Sequence, residues 1–261
     1  MKKPKWVVEK EQGKRAAAAE TVWLFGLHAV RDALRNPDRV KLRLVVTRNA
    51  AARLEEDIAA SGMEAEMSEP RNFAAPLDPQ SVHQGAALEV KPLNWGPIAE
   101  RCIGSGEGLP MVVLLDQVTD PHNVGAVLRS AEVFGATAVI ATARHAAPET
   151  GALAKTASGA LERQPYLRIR NLSDGMRELQ NMGYILLGLD GEAEETLEEA
   201  LVDLSDRPVG LVMGAEGPGL RDKTKEYCDK LVRISYAADF GSLNVSNAAA
   251  VGLYAASRRG K

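Results

Sequence analysis

The sequence predicts an α/β protein, with a mostly parallel sheet in its C-terminal part and a small α/β module before it. Short aliphatic runs recur at Met111–Leu115, Ala138–Ile140, Tyr184–Leu189, Val209–Met213 and Leu231–Ile234, with helix-patterned segments between them. Runs of this kind, bounded by Gly and Asp, suit strands buried on both faces, as a parallel sheet requires. Upstream, Val40, Leu42, Leu44 and Val46 alternate in the manner of a half-buried strand. The chain has 261 residues, 45% hydrophobic and 26% charged, enough to bury one large core or two modest ones.

In chain order, residues 1–19 carry Lys2, Lys3, Lys5, Lys10, Lys14 and Arg15 against Glu9 and Glu11, with few large apolar side chains. Residues 1–20 therefore read as a flexible basic arm, either a solvated tail or an RNA contact. Over 21–91, Val30, Ala33 and Leu34 have helical spacing after Gly26, and Leu54 and Ile58 sit one turn apart on a second helix. A strand at Ala86–Val90 closes a module of about 70 residues, short for a whole enzyme. Residues 92–110 contain Pro92, Gly96, Pro97, Gly104, Gly106, Gly108 and Pro110, and read as a linker with room for a short helix at Ile98–Ile103. Residues 111–261 form the second domain. Its acidic stretch Glu192–Asp203 reads as the wet face of a helix.

Composition excludes several classes. A net charge of −3 and a pI near 5.9 argue against a histone-like polycation while leaving room for a local basic patch. The aliphatic runs are too short to cross a bilayer, and residues 1–19 lack the apolar stretch of a secretory signal. Cys102 and Cys228 are far apart, with no Cys or His at metal spacing. We therefore expect no disulfide framework, no metal and a reducing cytoplasm.

Three loops follow apolar runs, and ligands of open α/β sheets gather at the carboxyl ends of strands. In the first, Asp120-Pro121 makes a turn and Asn123 is placed to cap the next helix, whose apolar stripe is Val124, Val127, Leu128, Ala131 and Phe134. Arg129 lies beside that stripe, and spacing alone reads it as a surface arginine in an ion pair. The second, Gly214-Ala215-Glu216-Gly217-Pro218-Gly219-Leu220, matches neither the dinucleotide fingerprint nor a P-loop. Glu216 would repel a polyphosphate but not a cationic or hydroxyl-bearing ligand, and Pro218 removes one N–H from any anion nest. An ordinary turn with an exposed acid is the plain alternative. The third loop holds Ser242, Asn244, Ser246 and Asn247 before an Ala-rich helix, more polar groups than one cap needs.

Taken together, Asp120-Pro121-His122-Asn123-Val124-Gly125 with Arg129, Gly214-Ala215-Glu216-Gly217 with Gly219-Leu220, and Ser242-Leu243-Asn244-Val245-Ser246 resemble the three motifs of the SpoU family. Its members are S-adenosylmethionine-dependent RNA 2′-O-ribose methyltransferases of the SPOUT superfamily. The resemblance covers residues 111–257. Phe25-Gly26-Leu27-His28-Ala29-Val30 and His83-Gln84-Gly85 look like the family's small RNA-binding domain. The bacterial 23S rRNA guanosine-2′-O-methyltransferase branch is the most similar. Two positions depart from the pattern, Ser235-Tyr236 where Pro-Met is common and Asn247 where a small apolar residue is common, and neither removes a catalytic polar group.

The resemblance implies a parallel sheet threaded as a trefoil knot, a homodimer with cofactor sites beside the interface, and rRNA as substrate. It makes Asn123, Arg129, Glu216, Ser242 and Asn244 catalytic, with Asn123 and Glu216 orienting Arg129, and Ser242 and Asn244 facing the ribose and the methyl donor. It gives Leu189, Gly214, Ile234 and Leu243 to S-adenosylmethionine, largely through backbone groups. A guanidinium keeps its proton, so Arg129 would bind an RNA phosphate and stabilise alkoxide charge rather than act as a base. A tRNA ribose methyltransferase and a catalytically silent RNA-binding assembly factor are the competing functions. The presence of all five polar residues favours the enzyme.

Overall fold

The computed structural model describes residues 21–104, 108–235 and 243–259. The basic arm, residues 1–20, lies outside the described residues, as do Ser242 and the rest of 236–242. Contacts divide the chain into two units, residues 1–93 and 94–261.

The first unit is a four-stranded mixed sheet in the order β1-β4-β2-β3, with β1 Val22–Phe25, β2 Lys41–Val46, β3 Ala65–Met67 and β4 Ala86–Val90. Helices α1 (Leu27–Arg35), α2 (Arg48–Arg53) and α3 (Glu55–Ser61) complete it. Leu24, Val30, Leu44 and Leu88 are buried at its centre, each side chain worth about 1.5–3 kcal/mol removed from water. Gly26 turns the chain from β1 into α1 with φ +92°, and the Leu27 N–H is then met by Gln84 Oε1 at 3.1 Å. The expected alternation of Val40–Val46 fails at its start. The β2–β4 register shifts between Lys41 and Arg43, so Val40 and Leu42 face solvent while Leu44, Val45 and Val46 are all buried. A bulge re-aims side chains in this way, and the period-2 pattern cannot anticipate it.

The second unit opens with α4 (Ile98–Arg101). The stretch 92–110 is thus not a free linker over its length. Ile98 and Cys102 are buried in the second core, and the Tyr184 hydroxyl donates to the Cys102 carbonyl at 2.6 Å. Apolar side chains at one-turn spacing draw this segment onto the sheet, against the Gly and Pro content around it.

Six parallel strands follow, in the order β10-β8-β9-β5-β6-β7: β5 Met111–Leu115, β6 Ala138–Thr142, β7 Tyr166–Ile169, β8 Ile185–Leu189, β9 Val209–Met213 and β10 Lys230–Val232. Every residue of β5, β6 and β9 is buried, which accounts for their continuous aliphatic sequence. Between and after the strands run α5 (Pro121–Phe134), α6 (Gly151–Ala157), α7 (Leu172–Asn181), α8 (Leu197–Val202), α9 (Asp222–Glu226) and α10 (Val245–Ser257). Val124, Val127, Leu128 and Ala131 of the α5 stripe are fully buried. Phe134 meets Tyr254 of α10 edge-on, ring centroids 6.0 Å apart. The acidic stretch 192–203 is helical only over Leu197–Val202, where Thr196 and Glu199 form a capping box. Strand β7 escapes the aliphatic-run criterion because, at the sheet edge, it carries the exposed Arg168. The segment from β10 to α10, on which the implied threading depends, includes the undescribed residues 236–242. Among the described residues no helix is long and apolar enough to cross a membrane, and no group of three or more metal-ligating side chains occurs.

Candidate functional site

At the carboxyl ends of β8, β9 and β10 a cleft of about 750 Å³ opens. Its walls are the end of β8 with Leu189 to Glu192, the loop Met213 to Leu220, and the segments Arg233–Ile234 and Leu243–Val245. All four residues expected to hold a cofactor, Leu189, Gly214, Ile234 and Leu243, line it, together with Glu216 and Asn244.

The glycine loop is built by close backbone contact. Ala215 and Gly219 exchange N–H···O bonds of 3.1 and 3.0 Å, and Gly217 and Gly219 take φ of +84° and +69°. A Cβ on Gly214 would stand 2.1 Å from the Gly219 carbonyl carbon, so only hydrogen fits there. Beyond the loop, the buried Asp116 anchors its far end. Asp116 accepts from Arg221 Nε at 2.8 Å and from the Thr224 hydroxyl at 2.6 Å. This clamp was not legible in the sequence, because its partners lie over a hundred positions apart.

Asn123 has a different local role from the one its position suggests. Asp120 caps α5, accepting from the His122 N–H at 2.9 Å, with Pro121 at the first helical position. Asn123 is therefore inside the first turn, almost fully buried, with its amide free for other partners. That amide donates to Glu216 Oε1 at 3.2 Å and accepts from Asn244 Nδ2 at 3.0 Å. Asn244 Nδ2 also bonds Glu216 Oε1. Asn244 does two jobs at once, since its Oδ1 caps α10 by accepting from the Ser246 N–H at 2.8 Å. One residue from each of the three loops thus meets at a single carboxylate.

Arg129 does not join them. It is exposed and has no hydrogen-bond or ion-pair partner among the described residues. The expected pairing of Arg129 with Asn123 and Glu216 is absent within the chain. Six residues along a helix turn the side chain by about 600°, far from the face that Asn123 presents. Ser242 lies outside the described residues.

The cleft also holds an ion pair that sequence reading missed. Lys225 Nζ stands 2.6 Å from Asp190 Oδ2, and this hydrogen bond keeps the Asp190 carboxyl below its usual range. Burial pushes both thiols, Cys102 and Cys228, up to about 12, so neither is poised as a nucleophile. The cleft's walls are apolar side chains and backbone groups, with the acids Asp190, Glu192 and Glu216 and the bases Lys225 and Arg233, and without a phosphate nest. Asp190 is matched by Lys225, whereas the Glu216 carboxylate meets amides, so a ligand with an apolar or aromatic part and a positive charge beside Glu216 suits it.

Comparison with known proteins agrees with this chemistry. Residues 110–254 match the SpoU rRNA Methylase family, and residues 23–96 match the family described as RNA 2′-O ribose methyltransferase substrate binding. The chain is 38% identical over 242 residues to the 23S rRNA (guanosine-2′-O-)-methyltransferase RlmB of Pseudomonas putida, covering 90% of this chain and 96% of that one. The fold is similar to that of the SpoU methyltransferase AviRb from Streptomyces viridochromogenes, with a TM-score of 0.75 at 21% identity over 95% of this chain and 92% of that one. It is also similar to an AdoMet-bound rRNA methyltransferase from Sinorhizobium meliloti, with a TM-score of 0.76 at 21% identity over 94% and 90% of the two chains.

Proposed function

The chain belongs to the SpoU rRNA methylase family, and from that premise we propose that it methylates the 2′-hydroxyl of a guanosine ribose in 23S rRNA. It is an S-adenosylmethionine-dependent RNA 2′-O-ribose methyltransferase. The observation that carries the reading is the convergence of the three motif loops on Glu216 at the mouth of one cleft.

Leu189, Gly214, Ile234 and Leu243 would hold the cofactor, which supplies a methyl group on a sulfonium. The tight Gly214 loop leaves backbone groups, rather than side chains, to meet it. Glu216 contributes negative charge beside the positive donor, and Asn123 and Asn244 fix its orientation. A held carboxylate keeps that charge in place without reorganising during the reaction. Much of the rate is expected from positioning, since oxygen, carbon and sulfur must lie in line. Arg129 would clamp an RNA phosphate and offset charge growing on the 2′-oxygen. Ser242 would face the ribose, as the family pattern suggests.

We further propose a homodimer through Val133, Phe134, Val251 and Tyr254. Val133 is 70% exposed and Tyr254 57%, and the two helices that carry them pack together. Arg129, four residues before Val133, shares that side of α5, so dimerisation carries it into the interface. Its lack of a partner among the described residues fits that arrangement. The cytoplasm, where rRNA is made, is the setting.

The test is label transfer from S-adenosylmethionine to purified 23S rRNA, tRNA and unrelated RNA, followed by mapping of the methylated ribose. Label confined to one 23S guanosine is expected. Label in tRNA alone would move the substrate to the competing class, and label in none would leave an RNA binder.

A further inference from the structure

The six strands are parallel, so all their carboxyl ends lie along one edge of the sheet. The cleft occupies the β10, β8 and β9 part of that edge. Beyond β5, over β6 and β7, the same edge is basic. Arg144 and His145 follow β6, and Arg168 and Arg170 stand at the end of β7, all four exposed. The Arg168 guanidinium donates to the Ala143 carbonyl at 2.6 Å, which holds it over the end of β6 and leaves its other N–H groups directed elsewhere. Arg144, His145 and Arg170 have no ion-pair partner among the described residues. The acid of this loop, Glu149, is buried, and Asp174 on the next helix faces Arg177 at 3.9 Å.

We propose that this ledge binds the RNA backbone on one side of the target nucleotide, a use of the surface that rests on the methyltransferase reading above. Three facts favour RNA phosphate as the occupant. The cations are arginines, whose planar forks match phosphate oxygens in pairs. They are uncompensated, where structural arginines of this chain such as Arg43 and Arg221 are matched to Glu66 and Asp116. They also form a line from the reaction centre outward. Three strand spacings separate β9 from β7, about 14 Å at 4.8 Å each, a stretch of a few nucleotides. A strand whose ribose reaches Glu216 can therefore lay adjoining phosphates along the ledge. Substrate holding is then shared by the catalytic unit and does not fall to the first unit alone.

The test uses the full chain with Arg144→Ala, Arg168→Ala and Arg170→Ala combined, and a fluorescent 23S rRNA fragment titrated at several salt concentrations. Each lost phosphate contact should make the negative slope of log K against log salt shallower by about 0.7, so the triple variant's slope should be about 2 less steep and its binding about 100-fold weaker at 0.1 M salt. S-adenosylmethionine affinity should stay within about twofold, and the rate at saturating RNA should hold while KM for RNA rises. Because Arg168 also braces the Ala143 carbonyl, the Arg144→Glu, Arg170→Glu pair is run beside it and should weaken RNA binding at least as much per residue. Wild-type RNA affinity and salt slope in both variants would overturn the ledge while leaving the methyltransferase reading intact. A wild-type chain that transfers no methyl group to any RNA would overturn that reading and the ledge with it.

Discussion

At the scale of single residues, the site turns on one carboxylate held by two amides. Glu216→Gln keeps the shape but replaces a charged acceptor, shared by Asn123 and Asn244, with a neutral amide. Methyl transfer should fall about 100-fold or more, the usual loss for one preorganised electrostatic group, while the melting temperature barely moves. Single-turnover rates on the purified variant check this, and a variant within threefold of wild type would remove Glu216 from the reaction. Arg129→Lys is expected to be nearly as poor as Arg129→Ala, because an ammonium cannot pair two phosphate oxygens in a plane. A lysine variant with most of the wild-type rate would mean that charge alone suffices. Asn123 also shows where sequence reading stops at this scale. Its type and place suggested a helix cap, but Asp120 takes that duty three residues earlier and releases Asn123 to the site. Local pattern offers several possible caps, and only the folded turn decides among them.

At the scale of elements, glycines decide how closely backbones approach. A Cβ on Gly125 of α5 would lie 2.8 Å from Thr156 Cβ and 2.9 Å from the Leu153 carbonyl oxygen on α6. Gly125→Ala should therefore cost about 1–3 kcal/mol by overpacking, read as a lower urea midpoint, without altering cofactor affinity per folded molecule. Gly214→Ala should lower the midpoint too, since its Cβ would meet the Gly219 and Leu220 backbone at 2.1–2.4 Å. Unlike Gly125→Ala, it should also weaken S-adenosylmethionine binding by tenfold or more per folded molecule in calorimetry, because the distorted loop lines the cleft. The buried strands β5 and β9 were legible because nothing but aliphatic residues tolerates burial on both faces. The bulge at Lys41–Arg43 and the edge strand β7 were not, since both depend on partners remote in sequence. The three motif loops could be found as polar and glycine clusters after strands. Their meeting at Glu216 could not, because it follows from strand order.

At the scale of the whole molecule, the division at Leu93 and Asn94 and the proposed α5–α10 face set the remaining expectations. A fragment of residues 94–261 should fold, dimerise and bind S-adenosylmethionine while methylating rRNA poorly. One beginning at 105 should be less stable, since it loses Ile98 and Cys102 from the core and the 2.6 Å bond from Tyr184. Chemical denaturation of the two fragments distinguishes them, and equal stability would return the stretch to linker status. Tyr254→Asp should yield a monomer in sedimentation, because it places a charge in the centre of the apolar patch. An unchanged dimer would put the interface elsewhere. One further consequence lies in Asn244, which is both the first turn's cap on α10 and a wall of the cleft. The same side chain is thus read from two sides, by whatever fills the cleft and by whatever presses on the helix. Where the helix it caps also pairs two chains, any coupling between the two equilibria is reciprocal: if pairing of two chains tightens the cofactor by some factor, the cofactor must tighten the pairing by that same factor. The enzyme would then be a dimer whose dissociation constant is set in part by the cell's supply of methyl donor.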